Sequence, residues 1–196
     1  MAELLLLRGF AVTHETVRQW EARFAPLLAD RLREKRRGRR SVSWYLDETY
    51  VKVSGRWRYV YRAVDQHGQV IDVYLSARRD IAAARRFFTA ALAAHDEPVE
   101  VVTDLAPALE HVIEELLPDA FHNTGQYANN RVECDHGRLK ARLRPMRGLK
   151  TDRTARIIIR GHAFMQNLRR GHYELGIETE AHQRAADAFD ELSRMI

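Results

Sequence analysis

The sequence predicts an α/β fold, a mixed five-stranded sheet flanked by helices, with a small helical segment ahead of it. Three observations carry this. After Ser41 the chain switches to runs that alternate in polarity and are rich in Trp, Tyr and Val, joined by short turns containing glycine. Further on, stretches of helical periodicity alternate with two short apolar runs. The composition, 45% hydrophobic and 30% charged over 196 residues, supplies the core of one domain and excludes wholesale disorder.

The first segment is helical. Residues 2–8 are apolar-rich, Gly9 breaks the run, and Thr13 stands as an N-cap before Thr16, Val17, Trp20 and Phe24 at helical spacing. This is the outline of a partial helix-turn-helix, with a plain helical hairpin as the equal alternative. A basic run over residues 31–40 links it to the first strand, so residues 1–40 form one unit. Residues 43–53, 57–64 and 70–75 read as an antiparallel meander turned at Gly55 and at Asp65-Gln66-His67-Gly68. Residues 81–94 form an amphipathic helix, 99–103 a buried strand ending at Asp104, and 107–117 a helix opened by Pro107. Residues 120–123 make a last short strand and 129–142 a basic helix. Residues 154–170 make a helix with Ile157, Ile158, Ala163, Phe164 and Leu168 as its core face. Residues 41–174 thus form the main domain. Residues 175–196 form a helical tail, with a helix over 179–196 burying Ala181, Ala185, Ala188, Phe189 and Leu192. Strand, strand, strand, helix, strand, helix, strand, helix is the ribonuclease-H-like order.

A net charge of +5 favours an acidic partner, nucleic acid first. The single cysteine, Cys134, excludes an internal disulfide and fits a reducing cytoplasm. It reads as a small packed residue, since a zinc site would need partners at ligand spacing. The Leu4 to Leu7 run is too short for a signal peptide, and no apolar stretch approaches the roughly 20 residues of a membrane helix. The expectation is a cytoplasmic, nucleoid-associated protein with no membrane partner.

Three acids stand out. Asp47 sits inside the apolar strand Trp44-Tyr45-Leu46-Asp47-Glu48-Thr49-Tyr50-Val51, where a carboxylate is costly unless it faces solvent or binds something. Asp104 lies where the Val101-Val102-Thr103 strand stops, the end at which sites gather in sheets with helical crossovers. Glu133 is on the basic helix, which could cross the sheet edge and present it to both aspartates. Glu48 should face away from Asp47. Carboxylates converging on one point repel unless cations occupy it, and hard oxygens select Mg²⁺ or Mn²⁺. For any one acid alone, a surface residue or helix cap remains the blander reading.

The residues around these acids resemble insertion-sequence transposases of family six. Residues 44–53 and Tyr59-Val60-Tyr61-Arg62-Ala63-Val64-Asp65 are similar to the family's first catalytic block, and Thr103-Asp104-Leu105-Ala106-Pro107 to its second. Asn129-Asn130-Arg131-Val132-Glu133-Cys134-Asp135-His136-Gly137-Arg138-Leu139-Lys140, then Arg144-Pro145-Met146-Arg147-Gly148-Leu149-Lys150, are similar to its third. The resemblance implies a ribonuclease-H-like catalytic domain with Asp47, Asp104 and Glu133 as catalytic and metal-binding triad. It implies Mg²⁺ or Mn²⁺, two ions, and strand cleavage and transfer on double-stranded DNA at terminal inverted repeats, by a homo-oligomer. Family members carry further helix ahead of the segment that starts here at Met1. The alternative is therefore a truncated, transposition-inactive DNA-binding remnant. The span from Asp104 to Glu133 is also shorter than the family's, a difference a loop can absorb.

The expected DNA contacts are Thr13, His14 and Arg18 in the first segment, and Arg131, His136, Arg138, Lys140, Arg142, Arg144, Arg147 and Lys150 around the third block. Glu133, His136 and Lys140 share one helix face, while Arg131, Arg138 and Arg142 project from another. A solvated basic helix is the competing reading, and His136 could cap or pack as well as orient a phosphate or move a proton. Trp44 and Trp57 read as core or cross-strand residues in preference to base-stacking ones.

Overall fold

The computed structural model describes residues 9, 11–13, 15–16, 19, 41–104, 106–125, 129–146 and 148–194. The chain divides into two compact units, one of residues 39–170 and one of residues 1–38 with 171–196.

In the first unit β1 (Ser43–Val53), β2 (Arg56–Asp65) and β3 (Val70–Ser76) form the antiparallel meander. Two residues, Ser54 and Gly55, both at positive φ, close the first hairpin, the backbone that matches the twist of its strands. Asp65 builds the second turn by accepting hydrogen bonds from His67 N and Gln69 N, each at 2.8 Å. Helix α1 (Ile81–Leu92) is next, capped by Asp80, whose side chain accepts from Ala83 N. Then come β4 (Glu100–Val102), α2 (Pro107–Leu116) and β5 (Phe121–Asn123). Strands β4 and β5 lie parallel to β1, which gives the sheet order β3-β2-β1-β4-β5. Helices α3 (Asn130–Leu143) and α4 (Asp152–Arg169) complete the unit.

Strand alternation assigns a core to each face of the sheet. Trp44, Leu46, Tyr61 and Ala63 pack with Phe87, Phe88, Leu109 and Ile113 of α1 and α2. Val51, Val53, Val60 and Val64 pack with Val132, Leu139, Ile159 and Ala163 of α3 and α4. Asn167 of α4 docks on the outer edge of β3, accepting from Val70 N at 2.6 Å and donating to Val70 O at 2.9 Å. That amide continues the strand's hydrogen bonding and fixes the rotation of α4. Ile157 is consequently exposed and Ile159 buried, which corrects the expected core face at Ile157, while Ala163 and Leu168 are buried as expected.

In the second unit Thr13 Oγ1 accepts from Thr16 N at 3.1 Å, an N-cap hydrogen bond. The expected helices over residues 2–8 and 13–24 otherwise fall outside the described residues, as does the basic run of 31–40. Helix α5 (Arg184–Ser193) starts later than expected, because Thr179 N and Gln183 N satisfy themselves in turns, on Gly176 O and Glu180 O. It buries Ala188 and Leu192, while Phe189 is 49% exposed.

Candidate active site

Strand β1 is central, so its residues meet β2 on one side and β4 on the other. The parallel register pairs Ser43 with Glu100, Trp44 with Val101 and Tyr45 with Val102. Carried two residues further, it sets Asp104 beside Asp47. The chain keeps this line past β4, since Thr103 N donates to Asn123 O at 3.1 Å. Asp104 Oδ1 then accepts from Ala106 N at 3.2 Å, which holds the carboxylate at the mouth of α2. On β1, Asp47 Oδ1 accepts from Glu48 N at 2.8 Å, and Asp47 Oδ2 lies 3.4 Å from Nδ1 of the buried His136. The Asp104 side chain is 49% exposed and that of Asp47 20%, so Asp104 is open to solvent and Asp47 partly so.

Helix α3 runs along β1. At its start Asn129 Nδ2 donates to Leu46 O at 2.8 Å, and two turns later His136 meets Asp47. Asn129, Glu133 and His136 are spaced i, i+4 and i+7, one stripe of a helix. Glu133 lies on this stripe between two residues pinned to β1 at Leu46 and Asp47, and it is exposed. Among the described residues no three His, Cys, Asp or Glu side chains form a closed ligand set.

A fourth carboxylate and an arginine, which sequence reasoning did not assign, stand beside the aspartates. Glu48 points to the opposite face from Asp47, as strand alternation requires, and there it forms an ion pair with Arg79. Burial pushes the Glu48 carboxyl up from its ordinary range; Arg79 opposes this, and the charges of Asp104 and Asp47 reinforce it. The hydrogen bond to Glu48 in turn makes Arg79 hold its proton more tightly. Arg79 Nη2 also reaches to 4.0 Å from Asp104 Oδ2. Glu48, Asp47 and Asp104 thus form one electrostatic group with Arg79 at its border. Nothing in the spacing of Glu48 and Arg79 announces their contact, which arises only when the start of α1 folds beside β1.

Directly across β2 from Asp47 stands Arg62. It is fully buried, and its charge goes to Asp135 of α3: Nη2 lies 2.6 Å and Nε 2.9 Å from Asp135 Oδ2. Arg170 pairs with the other oxygen of Asp135, and Arg138 Nη1 approaches it at 3.3 Å. Burial alone would raise the Asp135 carboxyl, but Arg62 and Arg170 overcome it and hold the group below its usual range. Burial lowers Arg62 in the same cluster, with Asp135 opposing. His162 of α4 lies in the same field; burial first, then the charge of Arg62, pushes it down to about 4. An arginine in the middle of Tyr61-Arg62-Ala63 was the available sequence signal, because a buried cation requires an acid.

The expected DNA contacts divide by position. Lys140, Arg142, Arg144 and Lys150 are exposed. Lys140 Nζ lies 5.2 Å from the Tyr50 ring centroid. Arg131 is exposed as well, stacked 5.3 Å over the Tyr45 ring and donating to Gln66 O at 2.7 Å. Arg138 leans on Asp135 yet keeps 56% of its side chain exposed. His136 is buried on Asp47. Thr13 is exposed and caps its own helix turn. His14, Arg18 and Arg147 lie outside the described residues. Cys134 is exposed on α3, which corrects the expectation of a packed residue: the buried stripe of the helix runs through Val132, Asp135, His136 and Leu139.

A five-stranded mixed sheet flanked by helices defines the class of fold, ribonuclease-H-like, and the family match makes the chain a polynucleotidyl transferase of the DDE type. The family model for the DDE domain of IS240-type transposases matches residues 41–172. The transposase for the insertion sequence-like element IS431mec of Staphylococcus aureus (strain Mu50 / ATCC 700699) is 36% identical over 157 residues, 77% of this chain and 69% of that protein. The chain belongs to the insertion-sequence DDE transposases of family six. The HTLV-2 integrase catalytic core domain, solved in complex with magnesium in a trimeric form, shares the fold. Its TM-score is 0.51 at 19% identity, covering 66% of this chain and 86% of that one. In the simian T-cell lymphotropic virus intasome with PP2A regulatory subunit B56 gamma, the match has a TM-score of 0.50 at 20% identity. It covers 64% of this chain and spans half the length of the matching chain. Among the described residues no helix is long and apolar enough to cross a membrane.

Proposed function

We propose that this chain cuts and joins DNA strands at the terminal inverted repeats of its insertion sequence, using Asp47, Asp104 and Glu133 as catalytic carboxylates and divalent-metal ligands. The observation that carries the reading is the β1–β4 register, which extended by two residues brings Asp104 level with Asp47, with Glu133 on a helix stripe anchored to β1 on both sides of it. The donor set fits Mg²⁺ or Mn²⁺. All three groups are hard oxygen ligands, and the charge of Asp47 and Asp104 is felt at Glu48. When bound, a pair of such ions supplies activation of the attacking oxygen and stabilisation of the leaving one.

The protein's own groups do the positioning. His136 steadies Asp47 from the α3 side, and Arg79 borders Asp104. Lys140, Arg142, Arg144 and Lys150 carry phosphate contact beside the acids, and Arg138 adds its exposed tip. Thr13, His14 and Arg18 contact DNA from the other unit. Water attacks first, and the freed 3′ hydroxyl then attacks the target. The partners are the double-stranded element ends and target, and further copies of the chain hold two ends together.

The test is strand transfer of a labelled DNA end, taken from the sequence flanking the gene, with Mg²⁺ or Mn²⁺. Joining by the chain and none by its Glu133→Gln variant is the expected result. DNA binding with no joining under any divalent metal rejects the enzyme reading and leaves a binding remnant.

A further inference from the structure

The distal half of the β1–β2 hairpin carries two large aromatic side chains that fold stability does not explain. Tyr50 is 57% and Trp57 54% exposed, and their rings meet edge to face with centroids 5.0 Å apart. A cross-strand aromatic pair stabilises a hairpin. It does not require that both rings remain half open to water. Cations border the pair: Lys52 Nζ lies 5.4 Å from the Trp57 centroid and Lys140 Nζ 5.2 Å from that of Tyr50. The rings sit in a cleft of about 270 Å³, which Arg144 and Leu149 also line. Among the described residues no carboxylate lines it. Its size falls below the ~300–1,000 Å³ of sites for drug-sized ligands, so it suits a single ring system.

Two elements link the cleft to the candidate active site. Tyr50 lies three residues along β1 from Asp47, and Lys140 lies two helical turns from Glu133 on α3. We propose that Tyr50 and Trp57 form a stacking platform for one nucleobase unstacked from the DNA at the reacting end, with Lys52, Lys140 and Arg144 holding its flanking phosphates. The inference rests on the DNA-processing reading above and adds a subsite to it. Every base has a π face, so exposed aromatics framed by cations match single-stranded nucleic acid without sequence preference. The lysines rest on exposed rings through weak contacts. An incoming base displaces them, and their flexible stems let the ammonium groups follow the backbone phosphates.

The test compares two duplexes of one sequence, one fully paired and one carrying 2-aminopurine as an unpaired base near its end. Affinity and base fluorescence are measured with the whole chain in EDTA, so that no strand is cut. The wild type is expected to bind the unpaired-base duplex roughly ten-fold more tightly and to change the 2-aminopurine emission on binding. Trp57→Ala is expected to lose both effects while keeping its affinity for the paired duplex, and Trp57→Phe to keep most of both. Preference and emission change that survive in Trp57→Ala overturn the platform. So does a Trp57→Ala variant whose altered behaviour is confined to its sedimentation, which would make the surface a contact between copies. Binding of both duplexes with equal affinity by the wild type overturns the platform alone. Binding of neither overturns it together with the DNA-processing reading.

Discussion

Asp47 and Asp135 lie on the same face of the sheet, one on β1 and one on the helix above it, and they are treated in opposite ways. Asp135 is 2% exposed and surrounded by Arg62, Arg170 and Arg138. Asp47 faces Arg62 directly across the strand pair, yet that guanidinium is turned to Asp135, and Asp47 meets the Glu48 amide and His136 instead. The cluster consumes the nearest cation and locks α3 against β2. Asp104 and Glu133 are exposed and Asp47 partly so, and the charges of Asp104 and Asp47 both act on Glu48. One region uses its charges for rigidity, and the other leaves its carboxylates without a cation closer than Arg79 at its border.

The largest effect comes from breaking the open region. Asp47→Asn, Asp104→Asn or Glu133→Gln should each lower strand transfer by about 10³-fold or more, with thermal stability unchanged or slightly raised. A gel assay beside a melting curve separates the two readouts. Loss of activity accompanied by equal loss of stability would place these acids in the scaffold. Chelation with EDTA should abolish joining in the wild type and be reversed by Mn²⁺.

Breaking the closed region should do the reverse. Asp135→Asn leaves Arg62 buried without its partner and should cost about 3–5 kcal/mol in urea unfolding. The double substitution Arg62→Met with Asp135→Leu should recover most of it. A cost below about 1 kcal/mol for Asp135→Asn would show that the pair is not what locks α3.

A gentler probe of the same cluster is pH. His162 is pushed down to about 4 from an ordinary 6.5, so the unfolded chain takes up its proton first as pH falls. Its contribution is therefore neutral above pH 6.5, and it removes stability between 6.5 and 4. The depressed Asp135 adds a further loss below its ordinary 3.8. Unfolding free energies at pH 7 and pH 5 should show the first loss, and His162→Gln should flatten it. The smallest effect belongs to the exposed cations. Lys140→Ala should reduce the salt dependence of DNA affinity by about one unit of slope while leaving sequence preference intact.

Much of the sheet was legible because its signals are local. Alternation along β1 and β2, Gly55 in the hairpin and the Asp65 turn each act over a few residues. Asp47 was legible as an acid in an apolar strand and Asp104 as an acid at a strand end. Glu133 needed the resemblance, since nothing in a basic helix singles out one glutamate. The pairings of Arg62 with Asp135, Glu48 with Arg79 and Asn129 with Leu46 were not legible. Each joins residues far apart in the chain and depends on where a helix crosses the sheet. The burial of Ile159 in place of Ile157 on α4 was not legible for a related reason. Ile157-Ile158-Ile159 spreads apolar side chains over most of a turn, and the polar docking of Asn167 decides which of them is buried.

The proposed chemistry depends on three carboxylates from β1, the end of β4 and α3 meeting at a divalent cation. Anomalous diffraction from crystals grown with Mn²⁺ tests it most directly. Manganese ligated by Asp47 and Asp104, with Glu133 directed at it from α3, is the predicted result. Manganese bound elsewhere, with Glu133 turned away from both aspartates in the presence of a DNA end, would contradict it.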